Sequence, residues 1–119
     1  MEFKGFDFKA AMKVCMNPKF YVRFLTKFDG VMLNDLQAAV AEGAIEDIQR
    51  HAHSIKGVSA NLGFTELYAL ALAVESKAKQ GIIVPAGDTD LINLTETYNY
   101  VLERVAAIIA NPDIITPYL

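Results

Sequence analysis

Apolar residues along this chain recur at intervals of three and four, the period of one face of a helix, and none of it alternates at two for long enough to predict a strand. A short stripe of Phe8, Ala11, Met12 and Cys15 comes first. A long one follows: Tyr21, Phe24, Leu25, Phe28, Val31, Met32, Leu36 and Val40. Three more are Ile45, Ile48, Ala52, Ile55, Ser59 and Leu62; then Leu67, Leu70, Ala71, Val74 and Ala78; then Leu91, Leu94, Tyr98, Val101, Val105 and Ile108.

Capping residues cut these stripes into helices. Asp7 is placed to cap the first. Asn17–Pro18 starts the second, with asparagine as N-cap and proline at the first helical position. That helix is predicted to reach Gly43, interrupted at Gly30. The third spans about Ala44 to Leu62, with Glu46 and Asp47 suiting the positive end of its dipole and Gly63 stopping it. The fourth spans about Thr65 to Gln80 and ends at Gly81. Asp88 caps the last, which Asn111–Pro112 closes. The intervening loop "IIVPAGD" is apolar and is expected to fold over one end. The prediction is an all-α protein: an antiparallel four-helix bundle with an additional short N-terminal helix lying across an end. With 119 residues, no repeat and no linker, 1–119 is expected to form a single domain.

Composition narrows the function classes. The net charge is −3 with both signs interspersed, which argues against nucleic acid. The lone Cys15 cannot form an internal disulfide, fits a reducing compartment and sits at a packing position. The longest apolar run, Leu67–Val74, is far short of the roughly 18 residues a membrane span needs. The N-terminus has no apolar signal core. A soluble, cytoplasmic protein with no membrane association is expected. There is no glycine-rich nucleotide loop, and no serine or cysteine nucleophile comes with a visible base.

The stretch "AHSIKGVSANLG", residues 52–63, holds the chemistry. A glycine inside a helix costs about 1 kcal/mol relative to alanine, and Gly57 sits there beside a histidine. At about 100° per residue His53 lies next to the buried stripe through Ala52 and Ile55 but outside it. Its helical neighbours are Gln49, Arg50, Lys56, Gly57 and Ala60: three long polar residues, two of them cationic, and two positions with almost no side chain. An imidazole there faces water, and Gly57 leaves room for something bulky to approach. A neutral imidazole offers a nucleophilic ring nitrogen, and Lys56 could offset the charge of a phosphoryl group on it. If the third and fourth helices are antiparallel about a turn near Phe64, position 75 faces position 53. Glu75 could then accept a hydrogen bond from the other ring nitrogen and orient the ring. Ser59 is expected at the helix–helix seam, bonded to a backbone carbonyl. His51 projects about 200° away from His53, so the two cannot share a metal ion, and no metal site or cofactor is expected. On these residues alone, a plain surface histidine beside a packing glycine is the commoner case.

The same residues resemble the histidine phosphotransfer (HPt) domain family. Its signature is a histidine, a branched apolar residue, Lys-Gly, a small residue and a glycine closing the helix, matched by His53, Ile55, Lys56, Gly57, Ser59 and Gly63. The next helix, "LALAVESKAKQG", and the aromatic helix before the motif extend the likeness over nearly the whole chain. The resemblance implies a phosphocarrier in a multistep two-component phosphorelay. His53 would accept a phosphoryl group at its outer nitrogen from a receiver-domain aspartate and pass it to another. Partners would be receiver domains of response regulators or hybrid histidine kinases, and the carrier would have no kinase activity or ATP site of its own. Lys56 would be the charge partner; Gln49, Arg50, Gly57 and Ala60 would flank the docking face. Glu75 departs from the uncharged polar group common there in the family. The alternative is a non-catalytic helical protein-binding module that never carries phosphate. A sensor-kinase dimerisation domain fits less well: an acid usually follows its histidine, where this chain has Ser54, and its bundle needs two chains. A monomer is expected.

Overall fold

The computed structural model describes residues 1–119 and is helical throughout: α1 (Phe8–Cys15), α2 (Pro18–Leu25), α3 (Val31–Glu42), α4 (Ile45–Leu62), α5 (Thr65–Lys79), α6 (Thr89–Ala110) and a terminal 3-10 helix (Pro112–Tyr118). The caps act where the sequence puts them. The carboxylate of Asp7 accepts from the Ala10 amide, Asn17 from Phe20 and Asp88 from Leu91. Each satisfies an amide that the first helical turn leaves unpaired.

The predicted second helix is two helices. Three hydrogen bonds, two local and one from α6, break it between Leu25 and Val31. The Thr26 hydroxyl donates back to the Arg23 carbonyl, the Asp29 carboxylate accepts from the Val31 amide, and the Tyr98 hydroxyl donates to the Asp29 carbonyl at 2.5 Å. The break turns Phe28 inward, stacked on Tyr98 at 4.9 Å and edge-on to Phe64 at 5.1 Å. It also leaves Phe24 and Val31, both expected inside, on the surface, with Met32 and Val40 half-buried. Of the apolar residues in the 82–88 loop, Val84 is buried while Ile82 and Ile83 are exposed. The tail past Asn111 coils into a 3-10 helix whose Ile115 enters the core.

The later stripes are buried as expected, apart from the half-buried Ile45 and Leu70. A fully buried leucine or isoleucine contributes about 1.5–3 kcal/mol, and Ile48, Ile55, Leu67, Leu94 and Ile108 are all of this kind. The most extensive helix contact is between α4 and α5. Small buried residues, Ala52 and Ser59 on one helix and Ala71 and Ala78 on the other, let the two axes come close.

The turn between them is strapped from outside. The Asp7 amide donates to the Gly63 carbonyl at 2.7 Å, and the Thr65 amide donates to the Gly5 carbonyl at 2.8 Å. The Tyr21 hydroxyl donates to the Leu62 carbonyl at 2.9 Å, tying α2 to the same point. Gly63 is required twice over: its φ is +79°, and a Cβ there would lie 2.3 Å from the Asp7 carbonyl oxygen. Gly63→Ala is therefore expected to destabilise the protein by at least about 2 kcal/mol, from left-handed strain of about 1–2 kcal/mol plus displacement of the strap. Urea unfolding measures it, and an unchanged midpoint would refute this account of the turn.

Candidate functional site

Helix α4 starts without a side-chain cap at Ala44, as its sequence implies, and relies on Glu46 and Asp47 in its first turn. Eight residues on, it projects His53 outward, with 66% of the side chain exposed. Lys56, one turn further, lies along the α5 side and is 19% exposed. Gly57 is open: a Cβ built there meets nothing within 4 Å. Arg50 is exposed but folded back along its own helix, its guanidinium 2.9 Å from Asp47. Gln49 is half-buried, and Ala60 is exposed.

From α5, Glu75 meets this group from below. Its side chain is 1% exposed, and its two oxygens divide the work: Oε2 lies 2.5 Å from His53 Nδ1, and Oε1 accepts from Lys56 Nζ at 2.6 Å. Lys79, on Glu75's own helix, stands 3.9 Å from Oε2. An ionised carboxylate can only accept, so Nδ1 is the protonated ring nitrogen. The neutral ring then carries its free lone pair on Nε2, directed away from Glu75. Burial alone would raise the Glu75 carboxyl. The hydrogen bonds from Lys56 and His53, with the charges of Lys56 and Lys79, outweigh burial and hold it below the ordinary carboxylate value.

The symmetric-hairpin reading thus brings Glu75 to His53 as expected. The depth of its burial was not legible: a carboxylate at the edge of an apolar stripe reads as solvated, and only the paired cations on α4 and α5 make an interior position tolerable. Ser59 needs correcting. It is buried in the seam, but its hydroxyl has no hydrogen-bond partner in place of the expected backbone carbonyl.

A second surface feature was read as core. Exposed Val14, Phe24 and Val31, with Met32 on α3 and Val58 on α4, line an apolar cavity of about 540 Å³ between α1, the α2–α3 break and α4. Its signal is the Thr26–Asp29 break, which rotates Phe24 and Val31 off the bundle interior.

The family model for the Hpt domain matches residues 30–106, which takes in α3, α4, α5 and most of α6. The chain belongs to the Hpt domain family, the histidine phosphotransfer domains of two-component phosphorelays. Members are phosphocarriers, not kinases, and interact with receiver domains of response regulators and kinases. The match is narrower than the sequence likeness suggested, leaving α1, α2 and the C-terminal 3-10 helix outside it. No curated protein and no solved structure matches the chain significantly. No helix is long and apolar enough to cross a membrane.

The buried carboxylate generates a pH prediction. Its folded value lies below its unfolded value, so its contribution is fully present above the ordinary value of 4.5 and is lost as pH falls through the folded value. The unfolding midpoint should therefore drop below about pH 4.5, and drop less in Glu75→Gln. At pH 7, Glu75→Ala should cost about 3 kcal/mol, the low end of the range for breaking a buried pair, because Lys56 keeps some access to water. Parallel acid profiles in wild type and Glu75→Gln would show that Glu75 gains nothing from its partners.

Proposed function

We propose that this chain is a phosphohistidine carrier whose acceptor is Nε2 of His53, receiving from one receiver-domain aspartate and passing to another. The observation that carries this reading is an exposed imidazole whose inner nitrogen is bound to a buried carboxylate, with open space at Gly57 one turn along the same helix. A ring held this way has its reactive lone pair aimed outward before any partner arrives, removing orientational freedom that the reaction would otherwise have to freeze.

The transfer itself is simple. The Nε2 lone pair attacks phosphorus, the aspartyl O–P bond breaks, and its electron pair returns to the receiver carboxylate. Charge stabilisation at the receiver oxygens belongs to the partner; the carrier contributes Lys56, whose ammonium is within one helical turn of the ring. Gly57, Ala60, Gln49 and Arg50 flank the docking face, and the apolar cavity at Phe24, Val31 and Val58 extends it beyond α4. The chain acts as one domain with no kinase or ATP site of its own, as a monomer in the cytoplasm. Helices α3, α4, α5 and α6 form the antiparallel four-helix bundle; their order and the short α3–α4 and α4–α5 connections support this arrangement.

Incubation with a phosphorylated receiver domain tests the site. Acid-labile, alkali-stable label should appear on wild type and on His51→Gln and be absent from His53→Gln. Label persisting in His53→Gln would refute the assignment, and label on none of them would favour the binding-only module. Gly57→Gln should leave stability within about 1 kcal/mol, since the site is open and glutamine is the better helix former, yet slow transfer more than tenfold. Transfer at the wild-type rate would remove Gly57 from the approach path.

A further inference from the structure

We infer that Glu75 makes the phosphorylated His53 a labile donor, because its carboxylate keeps the proton on Nδ1 while Nε2 carries the phosphoryl group. The inference rests on the His53 reading above and deepens it.

Consider the ring once it is loaded. Attack through Nε2 leaves a phosphoimidazolium: one positive charge, a P–N bond at Nε2 and a proton at Nδ1. Two fates follow. If the Nδ1 proton stays, cleavage of the P–N bond returns its electron pair to Nε2 and releases a neutral imidazole, a good leaving group. If the Nδ1 proton is lost to solvent, the same cleavage must expel an imidazolate anion, and the phosphoryl group is trapped.

The choice lies with the atom facing Nδ1. Here it is Glu75 Oε2 at 2.5 Å, on a side chain 1% exposed. Deprotonating Nδ1 would set a lone pair against a buried carboxylate; keeping the proton gives the ring cation an anionic partner. An amide oxygen at this position accepts the same hydrogen bond but supplies no charge.

The remaining charges around Glu75 do not cancel the effect. From α4 the groups facing it are His53 and Lys56; from α5 itself, Lys79 at 3.9 Å. Lys56 bonds the other oxygen, Oε1, so it does not compete for the proton. Lys77 is held by Asp88 at 2.7 Å and Asp90 at 2.9 Å, ion pairs in which Glu75 has no part. Lys56 and Lys79 weaken the pull on the ring without displacing it, because neither touches Nδ1.

An opposite charge in contact moves a titration by about one to three pH units. Above the point where an uncharged partner would release the proton, each such unit is about tenfold in the reactive fraction. The test loads wild type, Glu75→Gln and Glu75→Asp with phosphoramidate, a small phosphoryl donor, and follows the P–N resonance by phosphorus NMR from pH 5 to 9, with water as acceptor. At pH 8 the phosphoryl group should persist at least about tenfold longer in Glu75→Gln than in wild type, and the two lifetimes should converge near pH 5, where both rings are protonated. Glu75→Asp should recover part of the lability. Equal lifetimes at pH 8 would overturn the inference and leave the site assignment standing. Absence of a P–N resonance in wild type, or its persistence in His53→Gln, would instead remove the reading on which the inference rests. Should Glu75→Gln fail to fold, the nitrogen-15 resonance of Nδ1 in loaded wild type decides. A protonated-type shift at pH 8 supports the proposal, and an unprotonated one refutes it.

Discussion

One buried charge governs the arrangement of this protein. The Glu75 carboxylate lies inside the α4–α5 seam, where an unpaired anion would be strongly destabilising, and it is tolerated because α4 brings His53 and Lys56 to its two oxygens. That requirement is also a register constraint. Sliding α4 by one turn along α5 would move both donors about 5 Å and leave the carboxylate unmatched. The apolar contacts of the seam, being non-directional, would tolerate such a slip more readily than the ion pairs. The position of the imidazole is therefore set by electrostatics laid over a permissive apolar interface.

The rest of the molecule holds that hairpin still. The N-terminal strap closes the turn through Gly63 and Thr65, and Tyr21 ties α2 to the Leu62 carbonyl. Phe28, Phe64 and Tyr98 pack against one another where the α2–α3 break meets the bundle. On the outer side the design is the opposite. His53 stands in water and Gly57 presents bare backbone, a less stable choice for a helix interior. Rigid below and uncluttered above is the geometry that the transfer proposed for His53 would require.

How much of this could be read from the sequence depends on the kind of interaction. Caps were legible because one side chain meets an amide two or three residues away, as at Asp7, Asn17 and Asp88. The pairing of positions 53 and 75 was legible because a short turn fixes hairpin symmetry. The α2–α3 break was not. The apolar period runs straight through Thr26–Asp29, and the bonds that break the helix include one from Tyr98, 69 residues away. The depth of Glu75 was hidden for a related reason: burial of a charge depends on partners from another helix, and local pattern carries no trace of them. Ser59 shows a third limit. Its place in the seam follows from helical period, but whether its hydroxyl finds an acceptor is decided by the rotamer that packing allows.

Lys56 occupies the position that ties structure to chemistry. In the free protein Lys56 and Glu75 form a directly bonded ion pair inside the seam. The proposed loading of His53 would add a dianionic phosphoryl group and a ring cation, giving Lys56 two anions to serve with one flexible side chain. It need not abandon Glu75 for the phosphoryl group, because the newly charged ring strengthens its own bond to Oε2 and takes over part of the balancing of the carboxylate. An uncharged group at position 75 would leave Lys56 free for the phosphoryl group alone and the ring free to lose its proton, favouring storage. A carboxylate there couples the two cations through one anion, so charge gained at the ring is felt at the lysine. Under the proposed transfer, a carboxylate in place of an uncharged group at position 75 would thus shift the balance between holding a phosphoryl group and giving it away.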